Sequence, residues 1–194
     1  MAESNREVRQ SYLNKARADK FRVVIPLPAG LRNIDTRNVR SVDFVDKDSI
    51  NFSVFAINIP PVIVEPIDMK FGGQTPRVSS LARQPYEAVD VKFVIDNMYA
   101  NYWLLYTWMN LLNDETTGYM KRRPNTQNVT ESIEEYTTNI IVSGIDEYNN
   151  NVIEYKFIGC VPQEIGGISY NYQETNEIES SFKFRFNQMQ VTIV

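Results

Sequence analysis

The chain contains no histidine and a single cysteine, Cys160, among its 194 residues. Without histidine, a Ser-His-Asp or Cys-His mechanism is impossible, and the commonest zinc ligand in proteins is missing. One cysteine can form neither a disulfide within the chain nor a cysteine metal site. We therefore interpret Cys160 as a small buried hydrophobic residue.

The chain also has no excess of positive charge. It contains 20 Lys and Arg and 24 Asp and Glu, which gives a formal net charge of −4. Tight binding to a nucleic-acid backbone normally requires a cationic surface, which argues against a sequence-specific DNA-binding protein. A protein that lies near DNA without retaining it is still allowed. Carboxylates cluster at Glu134-Glu135 and Asp146-Glu147, but both pairs lie in polar stretches typical of solvated loops. We predict no enzymatic activity, no cofactor and no metal.

Long hydrophobic runs are absent as well. No window approaches 18 apolar residues, so no transmembrane helix and no membrane anchor are predicted. The first residues, MAESNREVRQSYLNKARADKF, lack the apolar centre of a signal peptide. The expectation is a protein made in a cytoplasm and kept there, or kept in a particle assembled there.

What the sequence does contain is alternation with the period of a β-strand. In SSFKFRFNQ (180–188), three phenylalanines at 182, 184 and 186 alternate with Lys183 and Arg185. The stretch YEAVDVKFVID (86–96) alternates in the same way, and such a pattern gives a strand one apolar and one polar face. Strands are predicted over 20–27, 50–59, 86–96, 138–145, 152–160 and 180–188.

One helix is predicted, over 97–113, with Asp96 or Asn97 as its N-cap. Apolar side chains recur there every three or four residues, which is the spacing of a single helical face. The predicted core-facing residues are Met98, Tyr102, Leu105, Met109 and Leu112. A single helix among many strands predicts a mainly β fold, an antiparallel β-sandwich or half-barrel with one flanking α-helix.

The organisation follows from these elements. Residues 1–19 form a polar N-terminal arm, and residues 20–194 form one β domain with a loop insertion at 114–136. The glycines of FGGQTP indicate a turn, which predicts a protruding hairpin at 62–79.

Four apolar residues of this hairpin have little local core to bury them: Val64, Ile67, Met69 and Phe71. An apolar protrusion usually contacts a partner, so these residues are candidates for contacts between subunits or between rings of subunits. The alternative is an ordinary flap packed on its own domain.

The stretch GCVPQEIGGISYNYQETNEIESSFKFRF carries a more specific pattern: Gly159, Pro162, Ile165-Gly166, Ile168, Asn176-Glu177-Ile178 and Phe182. It resembles the C-terminal part of tail tube proteins of contractile-tailed phages of the T4 type. The run FAINIPPVIVEPIDMKFGGQTPRVSS is similar to the second strand and long hairpin of that family, with Val64-Glu65 and Ile67 in the matching positions. The resemblance covers roughly residues 20–190 at low identity.

The resemblance implies a structural virion protein. Subunits of this family close into hexameric rings whose inner sheets join edge to edge into one β-barrel, and the rings stack into a tube that conducts the genome. The implied partners are further copies of the chain, sheath, baseplate and terminator proteins, and double-stranded DNA in non-specific passage. The implied place is the virion tail, assembled in the host cytoplasm. Loops longer than a minimal tube protein needs leave a tube-initiator, tail-terminator or baseplate protein as the alternative. An enzyme or ligand-binding module on a β-sandwich is a third possibility.

Two expectations concern charge. Fixed cations along a DNA conduit would retain the genome, so Lys183 and Arg185 are expected to avoid the bore and to face acidic side chains. The acid is either within the subunit, with Glu154 as the candidate, or across a subunit contact. Asp90 and Asp96 are the candidates for residues that line the lumen.

Overall fold

The computed structural model of the chain describes residues 15–31, 45–46, 49–50, 53–111, 113, 116–119, 133–173 and 176–194. Most of the predicted arm (1–19) and of the predicted insertion (114–136) lies outside these residues. The described part contains a short 3-10 turn, Ala29–Leu31, and the α-helix Ala100–Met109.

Eleven strands and the helix follow one another in the described residues. In chain order they are β1 (Phe21–Val24), β2 (Val45–Asp46), β3 (Ser49–Ile50), β4 (Ser53–Ile57), β5 (Val64–Asp68), β6 (Arg77–Arg83), β7 (Val89–Val94), α1 (Ala100–Met109), β8 (Thr138–Ile145), β9 (Asn151–Ile165), β10 (Glu179–Arg185) and β11 (Gln188–Ile193).

The 15-residue strand β9 organises the main antiparallel sheet because it belongs to both halves of it. Its N-terminal part pairs with β8 on one edge and β11 on the other, and β1 extends this first half beyond β8. Its C-terminal part pairs with β10, which is followed by β7 and then β4 in the second half. The strand predicted over 180–188 therefore ends at Arg185, and β11 is a further strand.

Gly159 lies where β9 passes from the first half to the second. Its φ of +67° is a left-handed conformation that favours glycine, and the β8–β9 register shifts between Thr138 and Ile140 opposite it. A Cβ at this position would meet the Nδ2 atom of Asn187 at 2.6 Å, and Asn187 joins β10 to β11. The first glycine of the family-like pattern thus marks the bend that lets one strand serve two halves.

The core fills the space enclosed by the two halves. Phe157 of the first half contacts Phe184 of the second edge-on, with ring centroids 5.6 Å apart. Trp108 of α1 packs on Phe182 at 5.6 Å and donates its Nε1 proton to the carbonyl of Tyr136 at 2.8 Å. Alternate residues on β7 and just after it are buried, as the period-two pattern of 86–96 predicts, namely Val89, Val91, Phe93 and Ile95.

The predicted helix is present but shorter, Ala100–Met109 instead of 97–113, and its predicted buried face is only partly right: Leu105 is buried and Tyr102 packs half-buried against the core. The residues that α1 buries are Ala100, Asn101, Leu104, Leu105 and Trp108, so only Leu105 belongs to the predicted set. Met98 lies before the helix and is exposed, and Leu112 is outside the described residues. The buried face also includes Asn101, a polar residue that an apolar pattern cannot identify. Its side chain donates to the carbonyl of Val94 at 2.9 Å.

The predicted fold class is confirmed: the protein is mainly β, its sheets are antiparallel, and one α-helix flanks them.

Candidate assembly surfaces

Strands β5 and β6 form a hairpin of their own, separate from the main sheet. At its tip, Phe71 and Gln74 exchange both backbone hydrogen bonds at 2.9 Å. Gly72 and Gly73 between them have φ values of +57° and +81°, and positive φ at both central residues is what a type I′ turn requires. The glycine pair therefore fixes the turn that the sequence indicated, although β6 continues to Arg83, beyond the predicted limit of 79.

The whole distal hairpin is open to solvent in the single chain, because every residue from Pro61 to Ser79 is exposed. Phe71 at the tip is 82% exposed, and Val64, Ile67 and Met69 are exposed as well. A flap packed on its own domain would bury these four residues against the sheet, and none of them is buried. Other large apolar residues join them on this segment, namely Val62, Ile63, Val78 and Leu81.

Leu81 is a member of this surface that sequence reasoning missed, because the hairpin was expected to end before it. It is 91% exposed and has a φ of +58°, which an L-residue adopts only with strain. The hydroxyl of Ser79 accepts the Leu81 N–H at 3.2 Å, in the region where the β5–β6 register shifts. The backbone thus holds a large apolar side chain outward.

A second surface, here called the charged face, lies on the open side of the second half of the sheet. It consists of Asp90, Lys92, Glu164, Lys183 and Arg185. On the other side of the same strands lie Phe182 and Phe184, which are 1% and 0% exposed. Lys183 is the direct cross-strand partner of both Asp90 and Glu164, so side chains from three strands meet in one row.

Lys183 faces an acid within its own subunit, as expected, but the acid is Glu164 and not Glu154. The Lys183 Nζ lies 2.8 Å from the Glu164 Oε2. The hydrogen bond and charge of Glu164 raise the pKa of the Lys183 ammonium group, and Asp90 adds to this effect. Glu154 pairs with Ser143 and Thr192 in the first half of the sheet, away from this row.

Within its own subunit Arg185 contacts an amide and not an acid, and the expected acid across a subunit contact stays a prediction. Its Nε donates to the Oε1 of Gln163 at 3.0 Å. The β9–β10 register shifts between Lys183, opposite Glu164, and Phe184, opposite Pro162, which leaves Gln163 as an extra residue in β9. This bulge gives Lys183 and Arg185 a partner each from consecutive residues of β9.

The two lumen candidates have different surroundings. Asp90 lies on the charged face beside Lys183, so if that face lines a bore, both residues do, against the expectation that separated them. Tyr99, and not the predicted Asp96 or Asn97, occupies the N-cap position of α1, but the Asp96 carboxylate accepts the backbone N–H groups of Met98, Ala100 and Asn101 at 2.9, 2.9 and 3.1 Å. A carboxylate engaged by three donors stabilises the start of α1.

The main sheet has open edges. Strand β1 pairs only with β8, and β4 pairs only with β7, within the described residues. An unpaired edge presents free N–H and C=O groups that can pair with another chain. In the part of the chain that the structure describes, no helix is long and apolar enough to cross a membrane.

Solved structures from contractile injection systems have the same fold. One is in the sheath–tube complex of the PVC extracellular contractile injection system, with a TM-score of 0.61, 10% identity and 97% of each chain covered. Another is in the tube-terminating cap of the anti-feeding prophage, with a TM-score of 0.61, 9% identity and 95% of each chain covered. A third is in the anti-feeding prophage baseplate, with a TM-score of 0.57 and 12% identity, covering 93% of this chain and 97% of the other.

No curated protein sequence matches the chain. A family model does, over residues 16–192, and its description is phage tail tube protein. This match spans both halves of the sheet, α1 and the exposed hairpin. The chain therefore belongs to the phage tail tube protein family.

Proposed function

We propose that the chain is the tail tube subunit itself, a structural protein without catalytic activity. Copies close into hexameric rings, the rings stack into a tube, and double-stranded DNA passes through the bore into the host cell. The observation that carries the proposal is the hairpin of β5 and β6, because a long apolar segment exposed from Pro61 to Ser79 needs a partner in the assembled particle.

Ring closure is supported by the open edges of the main sheet. If the β4 edge of one copy pairs with an open edge of the next, a heterologous contact repeats around an axis and closes. Closure also removes the edges that would otherwise pair without limit. We assign the hairpin, with Val64, Ile67, Met69 and Phe71, to contacts between subunits or between stacked rings.

The other proposed partners are sheath, baseplate and terminator proteins, and the proposed location is the virion tail after assembly in the host cytoplasm. The resemblance to a cap chain and a baseplate chain supports a second candidate, a tube-initiator, tail-terminator or baseplate protein of the same fold. Copy number in the particle separates the two, since a tube subunit is present in many rings and the others in few.

Electron microscopy of the purified protein over a concentration series tests the proposal. Rings or stacked tubes with a central hole are expected. The matched pair of variants is Phe71→Ser, at the exposed hairpin tip, and Tyr172→Ser, an exposed aromatic in the β9–β10 connection. Burying a phenylalanine contributes about 1.5–3 kcal/mol, so Phe71→Ser should raise the concentration needed for assembly roughly tenfold or more, and Tyr172→Ser should not. A chain that stays monomeric at every concentration and on a supplied tube nucleus would contradict the proposal.

A further inference from the structure

On the charged face, acidic and basic side chains lie side by side on neighbouring strands. Lys183 is not free in the folded chain, because Glu164 contacts it at 2.8 Å and Asp90 lies directly across from it on β7. One oxygen of Asp90, Oδ1, is buried without a hydrogen-bond partner. A lysine flanked by two carboxylates carries no net positive charge to its surroundings.

The charged face carries two further cations, Lys92, which is exposed, and Arg185, which is engaged through different chemistry. The guanidinium of Arg185 donates to the amide oxygen of Gln163, which occupies the bulge in β9. That bond orients Arg185 without neutralising it. Lys183 is therefore the cation that the fold masks electrostatically, and Glu164 is the residue in direct contact that masks it.

Among the described residues, this row lies on the more exposed side of the sheet: Lys92, Glu164 and Arg185 are exposed, and Asp90 and Lys183 are half-buried. On the opposite side, Phe182 packs on Trp108 of α1 and is buried in the core. If the rings close through sheet edges with α1 on the outside, the opposite side of the second half, which carries the charged face, lies toward the axis. The charged face would then be the one that passing DNA meets.

We propose that Glu164, assisted by Asp90, is a masking residue that keeps Lys183 from binding the phosphates of the DNA in the bore. The inference rests on the proposed function, because it assigns the charged face to the conduit. Its physical basis is counterion release. Each lysine that contacts a phosphate adds about 0.9 to the slope of log K against log salt, or roughly three- to fourfold in affinity between 200 and 50 mM salt. Repeated in every subunit of a stacked tube, a further free cation beside Lys92 and Arg185 would hold the genome more tightly.

The test uses the full chain and a fluorescent double-stranded DNA oligonucleotide of 30 base pairs, with anisotropy measured from 50 to 200 mM NaCl. Glu164→Gln removes the mask. Glu134→Gln is the matched control, since it changes net charge equally at an exposed residue just before β8. We expect Glu164→Gln to bind DNA about threefold or more tightly than the wild type at 50 mM salt, with a steeper salt dependence, and Glu134→Gln to match the wild type.

A second variant assigns the gain to the lysine. In the Glu164→Gln background, Lys183→Gln should return DNA binding to the wild-type level. The inference is overturned if the Glu164→Gln and Glu134→Gln variants bind DNA equally. It is also overturned if the gain in DNA affinity persists when Lys183 is replaced. Thermal unfolding of each variant confirms that folded proteins are being compared.

Failure of this inference can be told apart from failure of the proposed function. Micrographs of the same samples show whether the chain assembles, whereas anisotropy measures DNA binding and so tests whether Glu164 masks Lys183. If every variant forms tubes and DNA binding is unchanged, the masking role of Glu164 is refuted. The proposal that the chain is the tube subunit is then unaffected. The chain could instead bind DNA through Lys183 in the Glu164→Gln variant and yet never assemble. That result would support the masking role of Glu164 and refute the proposal that the chain is the tube subunit.

Discussion

Cys160 shows how one residue reports on the folded core. Its side chain is fully buried, and its thiol donates to the carbonyl of Phe157 at 3.4 Å. Burial disfavours the thiolate and raises the pKa of Cys160 from 9.0 to about 12. We expect Ellman's reagent at pH 8 to leave the native protein unlabelled and to label one thiol per chain in guanidinium chloride. Rapid labelling of the native protein would show that the core opens more readily than its packing implies.

The same thiol makes stability depend on pH. The folded state holds the proton more tightly than the unfolded chain, so this contribution is fully present below pH 9 and is lost as pH rises towards 12. Tyrosines and lysines titrate in the same range, and the comparison with Cys160→Ala isolates the cysteine. The difference in unfolding free energy between wild type and Cys160→Ala should shrink across this window.

At the scale of single elements, Gly159 is the position where the backbone conformation matters most. Gly159→Ala places a Cβ on a residue with φ +67° and beside Asn187, and we expect a loss of about 1–3 kcal/mol in unfolding free energy. Urea denaturation followed by circular dichroism measures it.

Gly167 is the matched control, because a Cβ there meets nothing within 4 Å and its φ is not in the left-handed region. Gly167→Ala should leave stability unchanged or raise it by about 0.4–1 kcal/mol through the unfolded state. Equal losses at both glycines would mean that the bend in β9 does not depend on the left-handed residue.

Sequence reasoning located elements well where one period dominated. The alternation of β7 and β10 gave their strands and buried faces, because a strand with one buried side has only one register that hides its apolar residues. It failed where a polar residue was buried or where the pairing of distant strand segments decided the contact. Asn101 is polar yet buried in α1, and Lys183 meets Glu164 because β10 pairs with the C-terminal part of β9, whereas Glu154 lies in the part that pairs with β8 and β11. Such pairings depend on long-range register, which no local pattern encodes.

At the scale of the whole molecule, the hairpin and the sheet are separable. The strands β5 and β6 pair with each other and not with the main sheet, and the residues from Pro61 to Ser79 are exposed. The contacts that tie down its base include the Gln84 N–H donating to the carbonyl of Ile63 at 3.1 Å and the Gln84 side chain donating to Glu65. The core therefore gains little from the hairpin.

Replacing residues 66–79 by a short Gly-Ser turn should accordingly leave the thermal unfolding midpoint close to that of the wild type. The same change should abolish rings and tubes, because it removes Ile67, Met69 and Phe71 from the proposed contact surface. Calorimetry and electron microscopy of one preparation give both results. A shortened chain that unfolds several degrees earlier would assign the hairpin to the fold, whereas one that is stable and still forms tubes would assign assembly to the sheet edges alone.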